Sequence, residues 1–177
     1  MLDTSSVVLS VIELSFKFFN IQIMKKAIVT GITGQDGAYL SDFLLKKGYL
    51  VYGAMRRAST DNIWRLQELG VDKNPNFKFV DFDLTDAGSI FRIITEIKPD
   101  EIYHLAAQSH VQISFELPKY TLDVNGGGTL AVLEAVRKFS PKSKIYHAAT
   151  SEMFGNSIDT DGYQRETTRL APVSPYG

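Results

Sequence analysis

Short apolar runs rich in β-branched residues alternate along this chain with longer stretches in which apolar positions recur every three or four residues. Ala27-Ile28-Val29-Thr30 is a run of the first kind, ended by Gly31, and predicts a buried strand. Gly37 to Lys47 is of the second kind. It sets Ala38, Leu40, Phe43, Leu44 and Leu45 against Asp42, Lys46 and Lys47, and Gly48 supplies the stop of the predicted helix. Leu50 to Ala54 predicts a second strand. Phe77 to Val80, Glu101 to Leu105 and Lys144 to Ala149 predict three more, each behind a turn signal: Asn74-Pro75, Pro99-Asp100 or Ser140-Pro141. Helices are predicted for Asp86 to Ile97 and from Pro118 to Phe139, with a shorter one over Asp61 to Leu69.

Strands that alternate with helices imply a parallel sheet with right-handed crossovers and helices on both faces. The expected fold class is therefore α/β, a Rossmann-type doubly wound parallel sheet. In an open sheet of this kind ligands bind beyond the carboxyl ends of the strands. The chemistry is expected in the segments that follow each strand.

Composition narrows this picture. A chain of 177 residues with 44% hydrophobic residues can bury one packed core. Its 19 basic and 20 acidic residues leave a net charge of -1, so no long-range field attracts nucleic acid or anionic lipid, and neither is an expected partner. Without cysteine there is no disulfide framework and no thiolate metal site, which fits a cytoplasmic protein. His104, His110 and His147 are scattered along the sequence and are read as structural, so no metal is expected.

The apolar stretch from Val7 to Ile23 is interrupted by Glu13 and Lys17, too often for a membrane span, and Asp3 stands where a secretory signal wants positive charge. Residues 1–23 are read as an extension upstream of a natural start at Met24-Lys25-Lys26, a genuine extra element being the alternative. Residues 24–177 form the expected domain.

Thr30-Gly31-Ile32-Thr33-Gly34-Gln35-Asp36-Gly37 follows the first strand and opens the first helix. Gly31 permits a tight turn, Gly34 lets the backbone approach a pyrophosphate and Gly37 lets helix and strand pack closely. The helix N-terminus adds unpaired N–H groups and partial positive charge. The spacing is G-x-x-G-x-x-G, one residue off the G-x-G-x-x-G fingerprint, so an ordinary glycine-rich turn is the competing reading.

The second strand lacks at its end the acid that would bind a ribose 2′-hydroxyl. Arg56 and Arg57 stand there instead, about 20 residues beyond the loop, where a 2′-phosphate would be gripped. That exchange predicts NADP rather than NAD. Asp83-Leu84 follows the third strand and Leu105-Ala106-Ala107-Gln108-Ser109 follows the fourth, an acid able to accept from an adenine amine and two alanines that let a nucleotide lie close. Tyr120 completes the expected cofactor-binding set.

With these residues in place the chain resembles the extended short-chain dehydrogenase/reductase family over nearly everything from Lys25 to Gly177. Within that family Thr30 to Gly37, Leu105 to Val111, Ser114-Phe115-Glu116 and Thr150-Ser151-Glu152-Met153-Phe154-Gly155 are most similar to GDP-mannose 4,6-dehydratases. The resemblance implies a catalytic threonine, glutamate and tyrosine at Thr150, Glu152 and Tyr176. It also implies a lysine four residues after the tyrosine. That lysine would fall past Gly177, so the domain is expected to be incomplete, truncated before the substrate domain, and inactive alone. Gly126-Gly127-Gly128 departs from an ordinary helix, since each glycine costs about 1 kcal/mol relative to alanine.

The resemblance further implies a reaction on GDP-mannose. Tyr176, as phenolate, takes the proton of the hexose 4-hydroxyl while hydride leaves carbon 4 for the nicotinamide, and Thr150 bonds the same oxygen. Glu152 then removes the proton on carbon 5, water leaves from carbon 6, and the hydride returns there, giving a 4-keto-6-deoxy sugar. A free tyrosine titrates near about 10, so the phenolate needs the charge of the lysine. Relatives of this kind are dimers or tetramers, which implies a homo-oligomer at full length. A dTDP-glucose 4,6-dehydratase, which usually carries an aspartate where this chain has Ser151, a 4-keto sugar-nucleotide reductase and a non-catalytic NADP-binding sensor are the alternatives.

Overall fold

Among the described residues, each β-branched apolar run becomes one strand of a five-stranded parallel sheet. The computed structural model describes residues 24–60 and 62–177. The proposed extension at residues 1–23 and Asp61, the expected start of the short helix, lie outside the described residues. The strands are β1 (Lys26–Thr30), β2 (Leu50–Met55), β3 (Phe77–Asp81), β4 (Glu101–His104) and β5 (Lys144–His147), in the order β3-β2-β1-β4-β5. Between them run α1 (Gln35–Lys46), α2 (Trp64–Glu68), α3 (Ala87–Ile97), α4 (Val111–Glu116), α5 (Pro118–Thr121) and α6 (Gly128–Phe139). This is the expected Rossmann-type doubly wound sheet. Its order reverses between β1 and β4, so the two loops that leave these strands diverge and open a crevice.

Successive residues of β1 feed opposite faces, as the period of two requires. Ile28 packs with Ile90, Ile94, Ile102 and Val132, under α3 and α6, whereas Ala27 and Val29 pack with Leu44, Val51 and Leu66, under α1 and α2. The central strand is therefore dry on both sides, and Ala27, Ile28 and Val29 are 0% exposed. Asp86 starts α3 by accepting from the Gly88 and Ser89 amides at 3.0 and 3.2 Å, which satisfies two donors that have no partner in the helix. β4 and β5 stop at His104 and His147, short of the expected Leu105 and Ala149: after β4 the chain turns into the wall of the crevice, and after β5 it leaves extended backbone at Ala149, with φ 53°.

The single helix expected over Pro118 to Phe139 is interrupted by a π-helical stretch, Leu122–Gly127, between α5 and α6. Wider turns of this sort commonly mark a site where a helix re-aims a side chain. Here it serves Asn125, as described below. The glycines that follow divide into two kinds. A Cβ built on Gly128 would stand 2.7 Å from Leu84 Cβ and 2.9 Å from Leu84 O, so α6 reaches the end of β3 only because Gly128 has no side chain. A Cβ on Gly127 would meet nothing nearer than Leu122 O at 3.9 Å. Helix α4, six residues long, has no periodicity that the sequence could display.

The histidines are not all dispersed, contrary to their spacing in the sequence. Register pairs His104 with His147, and their rings stack with centroids 5.2 Å apart and planes inclined at 22°. His104 is 2% exposed. Burial, and then the neighbouring His147, push its pKa down from 6.5 to about 4. The unfolded chain therefore takes up this proton first. The contribution is whole above pH 6.5 and is lost as pH falls towards 4.

Two outcomes follow. In urea unfolding across that pH range, His104 should account for a loss of about 3 kcal/mol, and His104→Asn should flatten the profile by that amount. Gly128→Ala should destabilise by about 1–3 kcal/mol through overpacking against Leu84, while Gly127→Ala, whose helical backbone suits alanine, should stabilise by about 0.5–1 kcal/mol.

Candidate cofactor cleft and catalytic turn

A cleft of about 690 Å³ opens over the carboxyl ends of β1, β2, β3 and β4. Its floor is the glycine loop. Gly31 has φ 68°, in the left-handed region, and a Cβ there would also stand 3.0 Å from Ala106 N, so both backbone and space demand glycine. Gly34 precedes α1, donates its amide to Gly31 O at 3.0 Å, and gives the helix no side-chain cap. The first-turn amides of α1 thus keep their capacity for an anion. A Cβ on Gly37 would overlap Gly31 O and stand 2.9 Å from Ile32 Cα, which explains how α1 sits so close to the loop. Gly31, Ile32, Thr33 and Gly34 line the cleft, whereas Gln35 and Asp36, exposed on the first turn, and Gly37, buried under it, do not.

The two arginines part company. Arg56 lines the cleft and donates from Nη1 to the Tyr120 hydroxyl at 3.4 Å, so arginine and tyrosine meet across the opening. Arg57 turns away to Asp81, with Nε and Nη2 at 2.9 and 2.8 Å from the carboxylate. Asp83 and Leu84 both line the cleft. Oδ1 of Asp83 accepts from the Thr85 amide at 2.9 Å and its hydroxyl at 2.8 Å, so this oxygen holds the turn after β3 in shape.

Leu105 to Ser109 form the facing wall. The Gln108 side chain is occupied within the wall: Oε1 accepts from the His110 amide at 2.7 Å, and Nε2 donates to Thr121 Oγ1 at 3.0 Å. Asn125, on the π-helical stretch, clamps the Gln108 backbone, accepting from its amide at 2.8 Å and donating to its carbonyl at 3.0 Å. Neither Asn125 nor the cleft residues Thr60, Asn62 and Phe82 stood out in the sequence. The glycine run beside Asn125 was the only mark of an irregular turn there.

Thr150, Glu152 and Tyr176 lie beyond the end of β5, outside the residues that line the cleft but on the same edge of the sheet. Ala149 adopts φ 53°, rare for a residue with a Cβ, and sends the chain into a 3₁₀ turn, Ser151–Phe154. Thr150 caps that turn, its Oγ1 accepting from the Glu152 amide at 3.1 Å. The chain then returns: the Ala171 amide donates to Met153 O at 3.0 Å, and a Cβ on Gly177 would stand 2.7 Å from Glu152 O. The backbone beside Tyr176 is therefore packed against the turn that carries Thr150 and Glu152.

Comparison with known proteins gives this arrangement its context. A family profile described as GDP-mannose 4,6 dehydratase matches residues 28–177. The GDP-mannose 4,6-dehydratase of Yersinia enterocolitica is 51% identical over 158 residues, covering 86% of this chain and 42% of that protein. Human GDP-mannose 4,6 dehydratase is 50% identical over 159 residues, covering 85% and 42%. Among solved structures, Thermotoga maritima UDP-glucose 4-epimerase with UDP-glucose superimposes with a TM-score of 0.73 at 29% identity, over 86% of this chain and 46% of that one. Thermus thermophilus UDP-glucose 4-epimerase in complex with NAD gives 0.70 at 28% identity, over 85% and 46%. The chain spans less than half the length of these relatives. By the family match and the dehydratase identities, it belongs to the GDP-mannose 4,6-dehydratase family.

Proposed function

We propose that the chain is the NADP-binding part of an enzyme that dehydrates GDP-mannose to GDP-4-keto-6-deoxymannose. The observation that carries this reading is the joint presence, on one sheet edge, of a glycine-floored cleft and a turn that joins Thr150, Glu152 and the segment of Tyr176. The cleft fits a dinucleotide phosphate in size, within the roughly 300–1,000 Å³ of small-molecule sites. It also fits in chemistry: Gly31 and Ala106 leave the backbone bare, α1 offers unpaired amides, and Arg56 stands at the rim for a 2′-phosphate. Arg56 is the phosphate ligand in this reading, and Arg57 a structural partner of Asp81.

When bound there, the cofactor would take up and return the hydride of the sugar. The chain's own residues move the protons. The Thr150 hydroxyl already accepts from the Glu152 amide, so its hydrogen remains to be donated to the sugar 4-oxygen. Tyr176 accepts the proton of that 4-hydroxyl as its carbon is oxidised. Once carbon 4 is a ketone, the proton on carbon 5 becomes acidic, and Glu152 removes it as water departs from carbon 6.

In the full-length enzyme, Arg56→Ala should weaken NADP binding roughly 10- to 100-fold, the scale of a charge-assisted bond, while NAD affinity stays nearly constant and Arg57→Ala changes little. Equal losses for both cofactors in a binding titration would overturn the assignment. Glu152→Gln should lower the dehydration rate by roughly 100-fold with NADP affinity intact. Full dehydration by that variant would give the role of base to another residue.

A further inference from the structure

Thr30 ends β1 with 0% of its surface exposed, so the bonds of its hydroxyl can be counted without water. Its Oγ1 lies 3.0 Å from the Leu105 amide, 2.9 Å from the Ala106 amide and 3.0 Å from His104 Nδ1. A hydroxyl has one hydrogen and two lone pairs. Amides can only donate, so Leu105 and Ala106 occupy both lone pairs and the hydrogen goes to His104. Nδ1 is therefore bare. The hydrogen of the ring sits on Nε2, which donates to Thr129 Oγ1 at 3.1 Å. One defined tautomer thus links β1, β4 and α6.

These bonds act on the cleft. Leu105 and Ala106 open the wall that faces the glycine loop, and both line the cleft, as Thr30 does, whereas His104 does not. The wall stands so near the loop that a Cβ on Gly31 would be 3.0 Å from Ala106 N. Asn125 secures the far end of the wall at Gln108, and Thr30 secures the near end. Without an acceptor at position 104, the Thr30 hydrogen would have to displace one of the two amides or remain unpaired in a dry site.

We propose that His104, held as its neutral Nε2–H tautomer, is a positioning residue for the dinucleotide cleft: it orients the Thr30 hydroxyl so that this one oxygen fixes both wall amides over the glycine loop. The proposal rests on the reading of the cleft as a dinucleotide site. His104 touches no cofactor atom in this account and works through Thr30.

The test uses the full-length protein with NADP as probe, together with nitrogen-15 spectra of the histidine rings. In wild type, His104 should show a bare Nδ1 and a protonated Nε2 at neutral pH. His104→Phe keeps a ring but no nitrogen and should weaken NADP binding roughly tenfold, the scale of one buried hydrogen bond with its dependants. His104→Asn, which keeps an acceptor near the Nδ1 position, should recover most of that loss. Thr30→Val should reproduce the loss and Thr30→Ser should restore binding, a rescue that a purely space-filling role would not show. A folded His104→Phe variant that binds NADP as tightly as wild type overturns the proposal. So does a protonated Nδ1, which decides the matter even if His104→Phe fails to fold. If wild type itself binds no NADP, the reading of the cleft falls, and the positioning role with it; if wild type binds and His104→Phe binds equally, only the positioning role falls.

Discussion

The close approach of the β1 loop to the end of β4 governs the geometry of the whole crevice. At the switch point the two strands are neighbours but their continuations leave on opposite faces, so the loops must pass within contact distance before diverging. Gly31 makes that passage possible with φ 68° and an absent side chain beneath Ala106. One residue earlier, Thr30 joins the same two segments by hydrogen bonds to Leu105 and Ala106. The pair combines opposite properties, a residue that must be small beside one that must carry a hydroxyl. Together they set the height of the cleft. The positions of Arg56, Asp83 and Tyr120 around it follow from where β2, β3 and α5 end relative to that floor.

Much of this architecture was legible because it is written in local patterns. A central parallel strand is dry on both faces, so β1 reads as an unbroken apolar run, and the glycines that stop it and open α1 mark the loop without any knowledge of its partners. The features that escaped depend on register between distant segments. His104 and His147 lie far apart in the chain and meet only because β4 pairs with β5. Arg56 and Arg57 are adjacent and chemically equal in the sequence, yet just past the end of β2 the first meets the Tyr120 hydroxyl and the second is captured by Asp81, which arrives from β3. Gln108 lines the cleft as part of the segment after β4, while the bonds of its side chain to His110 and Thr121 depend on contacts the sequence does not display. Within the run of glycines at 126–128, Gly128 is required by Leu84, which lies far away in the sequence and beneath it in the fold.

Thr30 and Thr150 show how local backbone geometry spends the whole hydrogen-bonding capacity of one hydroxyl and leaves part of another's free. Thr30 is the last residue of β1 and Thr150 lies three residues past the end of β5, and both accept from backbone amides. Thr30 accepts from two and gives its hydrogen to His104, which exhausts the valence of the oxygen and leaves nothing for a ligand. Thr150 accepts from Glu152 alone, keeping one lone pair and its hydrogen. The difference originates in the backbone: β4 brings two consecutive amides past Thr30, whereas the left-handed Ala149 swings Thr150 into a tight turn that offers it a single amide. A residue in that conformation costs about 1–2 kcal/mol relative to ordinary backbone, and such a cost persists where the surrounding structure holds it in place. What it secures here is a hydroxyl fixed in position beside Glu152 with donor capacity unspent, as the proposed handling of a proton at the sugar oxygen requires.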